Sequence, residues 1–210
     1  MKTPSLNVRF CDEWNGGFGW IADEPAFLER ASHAVLADGG VWVVDPVDGE
    51  GVERRIRELG EPAGVLQLLD RHARDGVELA ARLGVPHHVT PFGGVTDGPF
   101  EVITVVRVPR WHEIALWFPQ ERVLACADAL GSAAYFGAPG EAIAVHPFLR
   151  LVPPRQLGGR SPLHLLVGHG EGVHGERAEQ ALEDALSSSR RRAPGWLLAQ
   201  ARRGLERIRS

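Results

Sequence analysis

Apolar and polar positions change their period several times along the chain, and each change marks an element. In "HAVLADGGVWVVDPV" two β-rich runs flank Asp38-Gly39-Gly40, the pattern of a hairpin. Asp45-Pro46 stops the second run. "EGVERRIRELG" then spaces Val52, Ile56 and Leu59 along one helical face and ends on Gly60. "GVLQLL" is a short apolar strand. "RDGVELAARLG" is helical again, with Val77, Leu79, Ala80 and Leu83 turned inward and Gly84 as its stop. Residues 41–89 therefore read strand, helix, strand, helix, strand, the alternation of an α/β layer.

The second half repeats this grammar more loosely. "FEVITVVRV" and "EIALWFP" are strand-like, and "ERVLACADAL" is a strand ending in a polar turn. Residues 131–162 are rich in Gly and Pro, with little period except around "HPFLRLV". "PLHLLVGHG" is a strand ending in Gly-His-Gly, and "GERAEQALEDAL" is an amphipathic helix. Residues 187–210, "SSSRRRAPGWLLAQARRGLERIRS", predict a separate basic amphipathic helix from about Pro194. Its stripe of Leu197, Leu198, Ala201, Leu205 and Ile208 is expected to dock on the body or on a second subunit, which would make a homodimer. No short repeat divides the chain, so residues 1–210 read as one domain.

Composition narrows the classes. At 210 residues, 44% hydrophobic and 24% charged, the chain resembles ordinary globular domains. No apolar run approaches the roughly 20 residues that span a bilayer, and the opening "MKTPSLNVRFCDEW" lacks the apolar core of a leader. The net charge of −4 supplies no broad basic field, so neither nucleic acid nor a membrane is the expected partner. Cys11 and Cys126 lie far apart, read as small buried hydrophobes, and fit a reducing cytoplasm. Lys2 is the single lysine among many arginines, a bias of a GC-rich bacterial genome rather than a functional signal.

The chemistry gathers at strand ends. Three apolar strands deliver three polar turns: Asp70-Arg71-His72-Ala73-Arg74-Asp75, then Ala127-Asp128, then Gly168-His169-Gly170. A fourth group, Trp111-His112-Glu113, begins the strand before Asp128. Loops at strand ends are where α/β layers carry their sites. Convergence of these turns would assemble carboxylates and imidazoles, the ligands of zinc, iron or manganese. Glu113 is a candidate general base, and Trp111 a candidate wall. His33, His87, His88, His146, His164 and His174 read as exposed or core-bonded histidines.

With these residues in that order, from about Ser32 to Leu186, the chain resembles the metallo-β-lactamase fold superfamily. The carriers are "VVDP", "ERVLACADALGS" and "LHLLVGHGEGVHG". The resemblance implies an αββα sandwich with a His-x-His-x-Asp-His turn, a lone His, a bridging Asp and a late His. His112, Asp128 and His169 match the last three, and Asp45 would support the site from behind. The metal turn departs. Matching Asp75 to the motif's Asp leaves Arg71, Ala73 and Gly76 at the three His positions and puts His72 one residue out of register. Ala73 has no donor atom, and Arg71 is cationic and offers only N–H groups.

Two readings follow from the resemblance. In the first the metal site is degraded and carries no cofactor. Arg71 or Arg74 then pairs with Asp75 or Asp128, and Arg71, Arg74 and Trp111 bind a small anionic molecule beside His72, His112 and Asp128. In the alternative, Asp75, Asp128 and His169 hold one divalent ion, zinc, iron or manganese, for hydrolysis of an ester, thioester or phosphoester. The resemblance also implies that the early "NGGFG" loop, between Trp14 and Trp20, could overhang a substrate.

Overall fold

A computed structural model describes residues 6–24 and 27–209, with side chains to Glu206. Residues 1–5 of the opening stretch and the Ile208 side chain of the C-terminal stripe therefore lie outside what it describes. The chain opens with an antiparallel meander: β1 (Val8–Trp14), β2 (Gly17–Ala22), β3 (Ala31–Ala37) and β4 (Gly40–Val44). The β3–β4 turn is Asp38-Gly39, with φ of 47° and 75°. Both central residues are left-handed, as a hairpin of right-twisted strands requires. Then α1 (Val52–Leu59), β5 (Glu61–Gln67), α2 (Gly76–Leu83) and β6 (His87–Val89) extend this sheet in parallel, in the order β1 to β6.

The second half builds a five-stranded sheet ordered β13-β12-β9-β8-β7. Its strands are β7 (Glu101–Val108), β8 (Trp111–Phe118), β9 (Val123–Ala125), β12 (His164–Leu166) and β13 (Val173–His174). A small ladder, β10 (Leu130–Gly131) with β11 (Ala144–Val145), lies beside it in sequence. The helix α3 (Arg177–Arg209) closes the chain.

Three apolar clusters define the layers. Val35, Val44, Leu66 and Leu68 of the first sheet side pack against Ile114, Leu116, Phe118 and Leu166 of the second, between the sheets. Val41, Val43 and Val65 pack on the outer side against Val52 and Ile56 of α1 and Leu79 and Leu83 of α2. Ile103, Ala115, Leu124 and Leu165 pack against Ala178, Leu182 and Ala185 of α3. The order is helix, sheet, sheet, helix: the αββα sandwich. Val77 departs from its inward reading and is exposed.

The C-terminal region also departs. There is no separate helix from Pro194, because α3 runs unbroken through Ser187, Ser188 and Ser189. The hydroxyls of Ser187 and Ser188 donate to the carbonyls of Glu183 and Asp184, and Ser189 donates to Arg150 O. They back-bond instead of breaking the helix. Its second half is tied to the body by Trp196 Nε1 and Gln200 Nε2, which donate to Tyr135 O. The Leu stripe does not dock on the body of its own chain: Leu197, Leu198 and Leu205 are 60%, 64% and 57% exposed. Among the described residues, no helix is long and apolar enough to cross a membrane.

Candidate metal centre

The carboxyl ends of the strands meet at one place because the turn after β5 crosses between the sheets. Leu68 O accepts Ile114 N at 2.9 Å, and Asp70 N donates to His112 O at 3.0 Å. These bonds stitch residues 68–70 to the start of β8. Asp128 follows β9 and His169 follows β12, two strands that pair in parallel, so both turns emerge on the same side.

His72, Asp128 and His169 converge here, with their ligand atoms all within 4.8 Å of one another. Both imidazole Nε2 atoms approach the same oxygen: Asp128 Oδ1 lies 3.0 Å from His72 Nε2 and 3.1 Å from His169 Nε2. Neither ring N–H direction points at that oxygen, which is enclosed and has no hydrogen-bond partner among the described residues. The opposite ring atoms are committed. His72 Nδ1 lies 2.8 Å from Asp45 Oδ2, and His169 Nδ1 lies 2.9 Å from Leu28 O. A carbonyl or carboxylate only accepts, so each Nδ1 carries a proton, and a ring that is neutral presents a bare Nε2 lone pair to Asp128. Two such lone pairs would repel the carboxylate oxygen they face, so a proton on the rings or a cation between them has to bind these three atoms together.

Asp45 organises this centre from behind. Its backbone is left-handed at φ 45°. Its Oδ1 accepts Leu68 N at 2.8 Å, and its carbonyl accepts Ser32 Oγ and Arg74 Nη1. Gly168 and Gly170 flank His169 for steric reasons. A Cβ on Gly168 would lie 3.1 Å from His72 Cε1, and one on Gly170, at φ 85°, would lie 2.2 Å from Ser132 Oγ.

Asp75 is a correction. It stands outside the cluster, at the N-cap position of α2, where its Oδ2 accepts Asp48 N at 2.8 Å. The third residue of the cluster is His72. Arg74, at φ 41°, bends the turn so that His72 faces Asp128 and Asp75 faces away.

The arginines divide their roles. Arg71, 48% exposed, reaches Asp128 Oδ2 at 3.2 Å and Arg110 O at 2.9 Å, with its guanidinium over the Trp111 ring. Among the described residues, Arg74 pairs with no carboxylate. It is enclosed and donates to three backbone carbonyls: Ala31 at 2.5 Å, Asp45 at 2.7 Å and Gly168 at 3.1 Å. His112, 44% exposed, is bonded through Nδ1 to Asp70 Oδ2 at 3.2 Å. Glu113 is not positioned as a base for substrate. It is fully buried, accepting Trp111 Nε1 at 2.8 Å and Ala129 N at 2.7 Å, and so it braces the turn that carries Asp128. The "NGGFG" hairpin lies elsewhere. Trp14 stacks on His164 at the start of β12, the strand end away from His169, and Trp20 is buried in the core.

Charge follows from this geometry. Burial alone would raise the Asp128 carboxyl; positive charge and N–H groups supplied from the His169 and His72 side outweigh it and hold it well below the usual carboxylate range, and a cation held by the same three atoms would act in the same sense. Burial and the Arg74 charge would lower the His72 imidazole, but Asp45 and Asp128 raise it. Burial, reinforced by the Asp128 charge, pushes the Glu113 carboxyl up to about 8.

No family model and no curated protein matches the sequence. Solved structures do. The chain is similar to the DIM-1 metallo-beta-lactamase, with a TM-score of 0.56 and 12% identity over 88% of this chain and 99% of that one. The same enzyme exposed to ceftazidime gives a TM-score of 0.55 and 13% identity over 89% and 100%. A metallo beta lactamase from Erythrobacter litoralis gives 0.55 and 11% over 87% and 94%. At these identities the likeness establishes the fold.

Proposed function

Starting from a metallo-β-lactamase fold with one ligand cluster at its strand ends, we propose that this chain is a metal-dependent hydrolase holding a single divalent cation. The ligands are His72 Nε2, Asp128 Oδ1 and His169 Nε2. The observation that carries this reading is the approach of both Nε2 atoms to one enclosed oxygen that meets no hydrogen-bond geometry, while each Nδ1 is already held by an acceptor. Two imidazoles and a carboxylate with open positions suit zinc, iron or manganese. Bound there, the ion supplies a Lewis acid and lowers the pKa of water it holds toward ~7.

The other residues do the rest. Asp45 and the Leu28 carbonyl hold both imidazoles in the ligating tautomer, the supporting role that orients metal-bound histidines. Arg71, tethered to Asp128 Oδ2 but half open to solvent, attracts an anionic group of an ester, thioester or phosphoester. His112 donates its Nδ1 proton to Asp70, which leaves an accessible Nε2 to take up a proton. Arg74 keeps a fixed positive charge behind the cluster.

A second reading is a metal-free site that binds a small anion. Its support is the Arg71–Asp128 pair together with the enclosed Arg74, two cations that offset Asp45 and Asp128 without an ion. One experiment separates the two. Protein stripped with a chelator is reloaded with zinc, manganese or iron and assayed on chromogenic carboxylic esters, thioesters and phosphodiesters. Hydrolysis that appears on reloading and is lost in Asp128→Asn supports the metal-dependent hydrolase. Absence of turnover with every ion and substrate favours the anion-binding site.

A further inference from the structure

Beside the ligand cluster sits a histidine that neither reading uses. His146 follows β11, and its backbone N donates to Ala129 O at 2.9 Å, the residue next to Asp128. Its ring is wedged among aromatic groups that themselves touch the site. Trp111, which carries the Arg71 guanidinium, meets it edge-on at 4.9 Å. Phe136, which stacks on His169, meets it at 5.5 Å. Tyr135 lies at 5.9 Å and Phe148 at 5.3 Å. Phe148 is 80% exposed, so this aromatic group opens to solvent on that side.

The tautomer is set by the backbone. Phe148 N donates to His146 Nδ1 at 3.3 Å, so the neutral ring must carry its proton on Nε2. Among the described residues, that Nε2 has no protein partner, and it is not among the enclosed polar atoms. A buried ring has kept one N–H free and in reach of solvent. Burial, with the Arg71 charge acting in the same sense against Asp128, lowers its pKa to about 4, so the donor is uncharged near neutral pH.

We infer that His146 is a substrate-positioning residue, which donates its Nε2–H to an oxygen of a substrate whose flat apolar group lies against Trp111, Tyr135 and Phe148. This rests on the metal-centre reading and deepens it: the preferred substrates are aryl-bearing esters or phosphoesters rather than small compact ones. Arg71 draws the charge, His146 fixes one acceptor oxygen, and the aromatic faces take the ring. A neutral donor adds direction without adding another cation to a site that already carries Arg71 and Arg74.

The test uses zinc-loaded full-length protein labelled with 15N-histidine, and phenylphosphonate and methylphosphonate as probes. Zinc content is measured first on each protein. The expected spectrum has His146 as the Nε2–H tautomer, with phenylphosphonate shifting that signal. Phenylphosphonate is expected to bind about tenfold more tightly than methylphosphonate, the scale of one buried aromatic contact. His146→Phe keeps the ring packing without the donor, and should weaken phenylphosphonate about tenfold while zinc content stays at the wild-type level. His146→Gln keeps a donor and should stay within about threefold of wild type. Zinc binding with an Nδ1–H tautomer, with no shift on adding phenylphosphonate, or with equal affinity in His146→Phe overturns the inference and leaves the metal centre standing. Failure of the wild type to bind zinc overturns both.

Discussion

The Nδ1 of His72 lies 2.8 Å from Oδ2 of Asp45, deep behind the site. That bond decides which nitrogen of His72 faces Asp128. An acceptor on one side of the ring leaves a lone pair on the other, and Asp45 is thereby a determinant of metal affinity without touching the ion.

The first prediction follows from this pair. Asp45→Asn keeps the size but can offer its NH2 to Nδ1, which reverses the His72 tautomer. Metal affinity is expected to fall about 10- to 100-fold, read by competition with a chromophoric chelator. An unchanged affinity would mean that Asp45 serves only the fold.

Arg71 and Arg74 should behave oppositely. Arg71 is half exposed, so its ion pair with Asp128 is screened, and Arg71→Ala is expected to cost no more than about 1 kcal/mol in urea unfolding. Removal of a cation from Asp128 Oδ2 should at the same time tighten metal binding. A loss of several kcal/mol, or weaker metal binding, would contradict this.

Arg74→Leu removes the donor to three enclosed carbonyls and strands the Asp45 charge. It is expected to cost about 3–5 kcal/mol or to prevent folding, the scale for breaking a buried charge network. Arg74→Lys should recover part of that, since one ammonium can satisfy some of the same carbonyls. Equal stability of Arg74→Leu and wild type in urea would refute the role.

Glu113 supplies a pH test. Burial pushes its folded carboxyl up to about 8, above the ordinary glutamate value of about 4.5. Between these values the native state keeps a proton that the unfolded chain has released, so stability falls as pH rises through that window and levels off above it. The depressed Asp128 carboxyl has the opposite sign, losing stability only as the medium becomes strongly acidic. Glu113→Gln should therefore gain on wild type in Tm steadily from pH 5 to pH 8. A constant difference across that range would argue against a protonated Glu113.

Much of the fold could be read from periodicity. The strand-helix alternation of residues 41–89 and the Asp38-Gly39 hairpin both appear as expected, because amphipathic spacing and turn residues are local properties. The convergence of Asp128, His169 and Arg71 was also legible, since each follows an apolar strand. The role of Asp75 was not. Counting along "DRHARD" assumes a regular turn, whereas the left-handed Arg74 redirects the chain and exchanges which side chains face the site. His146 was hidden for a different reason. Its free N–H depends on a backbone donor two residues on and on rings from β8 and the 135–136 loop, none of which is a sequence neighbour in any motif. Nor could spacing reveal that the Ser187–Ser189 run continues α3, because serine hydroxyls can break a helix or bond back within it.

The most direct measurement is the metal stoichiometry of purified chain by elemental analysis, confirmed by calorimetric titration of chelator-stripped protein with zinc. The account predicts one divalent ion per chain, retained in Asp75→Ala and lost in His72→Ala, Asp128→Ala and His169→Ala. No bound ion in the wild type, or binding that survives loss of Asp128 and His169, would contradict it.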